Sequence, residues 1–263
     1  MEDHFADENQ SPQPRSIESI IESGFNVNGL ASLRKGMHYF SDEVGIYVAF
    51  MLVYTAITMG AGFLPIVGDL SGMLLGPPLL AGFVCYVRLQ SRNEFREFSH
   101  FFGGFRGGNW PSLVSQGISV QLSIALVVAI LVFPFFYQTI QELVGEIVNV
   151  TSMGPKQAAE FLMRLYNPQI GLFILIAAIV ALAVQTLFCL SPLFIVYRGY
   201  SAFQAIGASW KLVTKKFLAF LLFNLILWLI LIAGFLMLYI GLLVALPIYY
   251  LSLAAAYEEI TGD

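Results

Sequence analysis

Charge is what this chain most conspicuously lacks. Asp, Glu, Lys and Arg together make up 11% of its 263 residues, and 58% are hydrophobic. A soluble domain carries about 25% charged residues, because water must wet its surface. The mean hydropathy of +0.77 therefore points to lipid as the solvent for most of that surface. Cysteine is nearly absent too. Cys85 and Cys189 both fall inside apolar runs and read as small buried hydrophobes, not as a disulfide framework. His4, His38 and His100 are scattered, which excludes a zinc cluster and leaves no metal or cofactor to expect. The net charge of -4 comes mainly from an acidic first 43 residues and an acidic C-terminus, so no nucleic-acid partner is expected. No signal peptide precedes the first apolar run, and that run is expected to be the targeting signal itself.

The apolar residues are gathered in long runs. A bilayer core about 30 Å thick takes about 20 residues of helix. Six stretches qualify: 44–66, 70–90, 112–137, 169–197, 217–236 and 238–257. The spacing predicts a tight turn near Gly68 and Asp69, and another at Met237–Gly241. Eleven of the 13 basic residues fall on one side of this arrangement: Arg15, Arg34, Lys35, Arg88, Arg92, Arg96, Arg106, Arg198, Lys211, Lys215 and Lys216. Only Lys156 and Arg164 fall on the other. Basic residues accumulate on the cytoplasmic side, so both termini are expected inside, in a bacterial inner membrane. The fold class is then all-α, a polytopic bundle of about six transmembrane helices. Residues 1–25 form a polar cytoplasmic tail and 26–260 the membrane domain.

The outer loop, 138–168, carries signals of its own. Thr139 and Glu142 have the spacing of a capping box ahead of the stripe Ile140, Leu143, Val144 and Ile147. A second short helix is predicted from Pro155, with Phe161, Leu162 and Leu165 on one side, and Asn149-Val150-Thr151 matches a glycosylation sequon.

One pattern occurs three times. Leu30, Leu33, Met37 and Phe40 have the spacing 0, 3, 7, 10, as do Phe95, Phe98, Phe102 and Phe105, and Phe203, Ile206, Trp210 and Val213. Each set predicts one apolar face on a short inner helix. Each precedes an outgoing span and a returning one that carries a proline: Pro78, Pro192 or Pro247. This is a three-fold internal repeat of amphipathic helix plus helical hairpin.

Those residues also carry a resemblance. The stretch Leu33 to Phe40 before the first span, Gly76-Pro77-Pro78-Leu79 with the Phe-rich loop through Phe105, Ala202 to Trp210 followed by Lys215-Lys216-Phe217, and Pro247 through Tyr257 resemble a broad group of poorly characterised bacterial inner-membrane proteins. That group is similar to the membrane domain fused to some glycerophosphoryl diester phosphodiesterases. The resemblance covers most of 26–260 and implies a topology. No catalytic domain is attached, so the phosphodiesterase activity does not follow.

No charged residue lies in the middle of a span, which argues against proton-coupled transport and against intramembrane hydrolysis. Gly103-Gly104-Phe105-Arg106-Gly107-Gly108 lacks the lysine and hydroxyl of a phosphate-binding loop. Gly72 and Gly76 read as a small-residue pair for close helix packing. The candidate lipid-headgroup contacts are Arg92, Arg96 and Arg106, beside the second aromatic stripe. The candidate intramembrane polar path is Gln121, Gln185 and Asn224, with Gln116 a further amide at depth. The expected function is that of a non-catalytic scaffold or accessory factor binding membrane lipid or another membrane protein. The alternative is a small-solute or lipid transporter using the polar path.

Overall fold

A computed structural model of the chain describes residues 15–62, 67–147, 168–237 and 240–263. They fall into two compact units, one within Met1–Gly117 and Leu187–Asp263, the other within Ile118–Thr186. Among the described residues the secondary structure is all helical: α1 (Ile17–Ser23), α2 (Gly29–Asp42), α3 (Val44–Gly62), α4 (Val67–Ser91), a 3-10 helix (Phe98–Phe105), α5 (Asn109–Ile147), α6 (Pro168–Leu187), α7 (Ser191–Arg198), α8 (Ala202–Lys215), α9 (Phe217–Leu236) and α10 (Leu242–Thr261). Among the described residues six helical stretches are long and apolar enough to cross a membrane, the fourth being Gly171–Arg198.

The short helices start where local chemistry dictates. Ser16 caps α1 by accepting from the Ser19 N–H at 3.1 Å, and Asn28 caps α2 by accepting from Ala31 at 3.1 Å. Ser201 and Gln204 form a capping box that opens α8. The centre of the larger unit is α10, buried along most of its length and packed on α2, α3, α4 and α9. Across the connection between α9 and α10, Gly234 in the last turn of α9 and Gly241 approach so closely that a Cβ on Gly241 would meet the Gly234 carbonyl oxygen at 2.6 Å.

The proline-bearing spans differ. Pro77 and Pro78 sit inside a continuous α4, and Pro247 inside a continuous α10. The fourth span is interrupted: α6 ends at Leu187, Phe188–Leu190 form turns, and Pro192 opens α7. Pro192 supplies no N–H for the Phe188 carbonyl. Ser191 supplies donors instead, from its backbone N–H at 3.1 Å and its hydroxyl at 2.6 Å.

Several boundaries differ from the sequence expectation. Gly68 and Asp69 lie in the first turn of α4, not between helices. The described part of α3 ends at Gly62. The separate outer helix expected after Thr139 is instead the continuation of α5, which runs unbroken to Ile147. No Gly or Pro occurs between 135 and 144 to stop it. The second outer helix, from Pro155, and the sequon at Asn149 lie outside the described residues.

The middle stripe is also corrected. Its segment is a 3-10 helix with about three residues per turn, so the 3.6-residue spacing does not describe its faces. Phe101, not part of the stripe, is fully buried, whereas Phe95 is 79% exposed. Gly72 and Gly76, expected to bring helices together, face open space among the described residues. The close approaches are elsewhere: a Cβ on Gly82 would collide with the Phe101 carbonyl, one on Gly104 with the Pro78 carbonyl, and one on Gly36 with Ser252.

Candidate functional site

The ionisable groups of the larger unit concentrate at the helix ends, around three carboxylates. Glu258, in the last turn of α10, is only 8% exposed. Lys35 and Tyr39, four residues apart on one face of α2, donate to its Oε2 at 3.1 and 3.3 Å, and the Tyr197 hydroxyl donates to Oε1 at 2.8 Å. Burial alone would lower the Lys35 pKa, but the hydrogen bonds with Tyr39 and Glu258 outweigh it and hold the ammonium above its usual value. Arg88 stacks over the Tyr197 ring and donates at 2.7 Å to the Val196 carbonyl, one of the orphaned acceptors at the end of α7. Ser32 donates to the neighbouring Glu259 at 3.2 Å.

Glu43 links α2 to α3. Arg96 grips its Oε1 through both Nε, at 2.8 Å, and a terminal nitrogen, while the Tyr86 hydroxyl donates to Oε2. Burial would raise the Glu43 pKa, yet the Arg96 and Tyr86 hydrogen bonds prevail and hold it below the usual carboxylate value. Tyr47, edge-on to the Tyr86 ring at 5.5 Å, connects this centre to the first. Tyr47 donates to Gln90 at 2.6 Å, and Gln90 donates to the backbone carbonyl of Tyr39 at 3.0 Å.

Asp263 is the third. Arg198 forks onto it at 2.8 and 3.0 Å, and the Tyr257 hydroxyl donates at 2.8 Å. Burial works to raise the Asp263 pKa, but these bonds keep it low. Arg15 reaches the Thr261 and Ile260 carbonyls, where a cation suits the C-terminal end of α10. All three carboxylates are held by cations or hydroxyls of other elements, so their chemistry here is to lock helix ends. Among the described residues, no group of three or more His, Cys, Asp or Glu is placed to hold a metal ion.

The nominated arginines separate. Arg96 is committed to Glu43, while Arg92, in the turn after α4, and Arg106, after the 3-10 helix, are exposed. Of the candidate amides, Gln121 is exposed and Gln185 half-buried, both within the smaller unit, and Asn224 is fully buried within the larger one. Its amide donates to the Phe220 carbonyl at 3.2 Å and accepts from the Tyr249 hydroxyl at 3.5 Å. Gln116 donates to Ser191 at 2.7 Å, tying α5 to the interruption in the fourth span. Glu43, Glu258 and Asp263 were missed because they stand just outside the apolar runs. Their signal was an acid at or near a run's end with a Tyr nearby in sequence.

A second surface surrounds these centres. On α2 the inward residues are Ser32, Gly36 and Phe40, while Leu30 and Met37 are exposed. On α8, Ala202, Ala205, Ala208, Ser209, Leu212 and Val213 face inward, while Phe203 and Trp210 are 78% and 49% exposed. The short helices thus bury mostly small side chains, with Phe40, Leu212 and Val213 beside them, and leave Leu30, Met37, Phe203 and Trp210 facing out. Comparison of the chain with protein-family models, with curated proteins and with solved structures found no match.

Proposed function

We propose that this protein is a non-catalytic integral membrane scaffold or accessory factor whose inner-side platform engages membrane lipid and, through it or beside it, another membrane protein. The observation that carries this reading is the outward placement of Leu30, Met37, Phe203 and Trp210 on short helices whose inner faces are already packed. Burying one large apolar side chain contributes about 1.5–3 kcal/mol, so such a surface is stable against lipid and costly against water. The basic residues Arg34, Arg92, Arg106, Lys215 and Lys216 are exposed among them. That fits an anionic cytoplasmic leaflet, with six spans, both termini inside and a bacterial inner membrane as the setting. The transport alternative draws no support from Asn224, whose amide is engaged within a core of Phe220, Phe223, Leu227 and Tyr249.

Native mass spectrometry of protein extracted in mild detergent tests the reading. Co-purifying phospholipid that is lost from a Phe203→Ser, Trp210→Ser variant supports it. Hydrolase activity of the purified protein, abolished by one substitution that leaves melting unchanged, overturns it.

A further inference from the structure

Between α1 and α8 the larger unit carries a groove of about 400 Å³, lined by Glu18, Ile21, Glu22, Trp210, Lys211, Thr214 and Lys215. Its walls are unlike in charge. α1 supplies two carboxylates and an isoleucine; α8 supplies two ammonium groups, a hydroxyl and an indole. Lys211 and Glu18 pair with each other at 3.0 Å across the groove. Lys215 and Glu22 have no side-chain hydrogen bond or ion pair in the described structure, so one cation and one carboxylate remain to meet a ligand. Trp210 is half-exposed and belongs to the outward apolar surface, so the groove opens beside it.

We infer that this groove holds the headgroup of a zwitterionic aminophospholipid, with the phosphate on Lys215, the ammonium on Glu22, and the glycerol and first acyl carbons against Trp210 and Ile21. This deepens the lipid-binding reading and rests on it. Charge complementarity selects the ligand. The lining offers two cations and two carboxylates; Lys211 offsets Glu18, and an anionic headgroup would bring no cation to offset Glu22. A primary ammonium donates hydrogen bonds to a carboxylate, which a quaternary choline cannot do, so phosphatidylethanolamine fits better than phosphatidylcholine. The same phosphate-plus-ammonium chemistry occurs in soluble phosphoethanolamine, but the indole and Ile21 favour the ligand that brings hydrocarbon with it.

The test uses the full-length protein, equilibrated in detergent with equimolar phosphatidylethanolamine, phosphatidylcholine and phosphatidylglycerol of matched chains, and read by native mass spectrometry. Retention of phosphatidylethanolamine over the other two by about tenfold or more is expected, the discrimination of one charge-assisted hydrogen bond. Glu22→Gln should abolish the preference over phosphatidylcholine, and Lys215→Gln should weaken retention of both zwitterionic lipids. Both residues are exposed, and an unchanged melting temperature verifies folding in each variant. Retention of all three lipids without preference, or a preference that survives both variants, overturns the headgroup site and leaves the broader lipid-binding reading standing. No lipid retained at all overturns both. Displacement of the lipid by soluble phosphoethanolamine at comparable concentration overturns the assignment to lipid.

Discussion

The Trp110 indole N–H donates at 3.2 Å to the carbonyl of Leu74, the acceptor that Pro78 leaves without its helical partner. In a lipid-facing helix an unsatisfied carbonyl has no water to turn to. The sequence thus places a proline in α4 and its remedy at the start of α5. Trp110→Phe is expected to lower thermal stability in detergent by about 1 kcal/mol, the net value of one hydrogen bond. Pro78→Ala restores a backbone donor to Leu74, so in that background Trp110→Phe should cost much less. Equal losses in both backgrounds would separate the indole from the proline.

Phe101 anchors the 3-10 helix. Its ring stacks on Tyr86 at 4.2 Å and on Phe50 at 4.3 Å and is fully buried. Phe101→Ala should therefore cost about 3–5 kcal/mol, and amide exchange of residues 98–105 should accelerate. Phe95→Ala, at a site 79% exposed, should leave melting in detergent nearly unchanged, as should Arg92→Asp. A larger loss at Phe95 than at Phe101 would restore the helical stripe of the sequence reading.

Close backbone approaches make specific glycines sensitive. Gly82→Ala and Gly104→Ala drive a methyl group into the carbonyls of Phe101 and Pro78. Both should destabilise by at least about 1–3 kcal/mol, as overpacking does. Gly72→Ala and Gly76→Ala, where no described atom lies within 4 Å of the added Cβ, should be neutral or slightly stabilising, since alanine favours helix. Melting temperatures of the four variants decide the order.

Acid should loosen the helix ends. Glu43 and Asp263 both have pKa values held below normal. A depressed folded pKa contributes stability that is fully present above the unfolded carboxylate value, near 4, and is lost as pH falls through the lower folded value. Melting in detergent should thus be insensitive to these two groups from neutrality to about pH 5 and decline below about pH 4. Glu43→Gln should remove part of that decline. An undiminished acid transition in the variant would assign it to other groups.

The span pattern was legible because it depends on length and composition alone. Even the turn between α9 and α10 follows from a run too long for one crossing. Which face of each short helix turns inward was not legible. Against lipid, a large apolar side chain gains nothing by choosing the core, and close packing selects small residues instead. Ser32 and Gly36, not Leu30 and Met37, therefore meet α10. The carboxylate centres were hidden for another reason. Glu258 is recognised by Lys35, Tyr39 and Tyr197, which are more than sixty residues away in sequence and come together only through the packing of α10.

The most direct test of the account places nitroxide labels, one at a time, at Leu30, His38, Phe203 and Gln204 in a cysteine-free protein reconstituted in lipid vesicles. If the outward apolar surface faces the membrane, labels at Leu30 and Phe203 are accessible to oxygen and shielded from an aqueous nickel chelate. Labels at His38 and Gln204, on the polar sides of the same helices, should have the opposite pattern. Equal aqueous access at all four sites would contradict it, because the outward apolar surface would then face water and not the membrane.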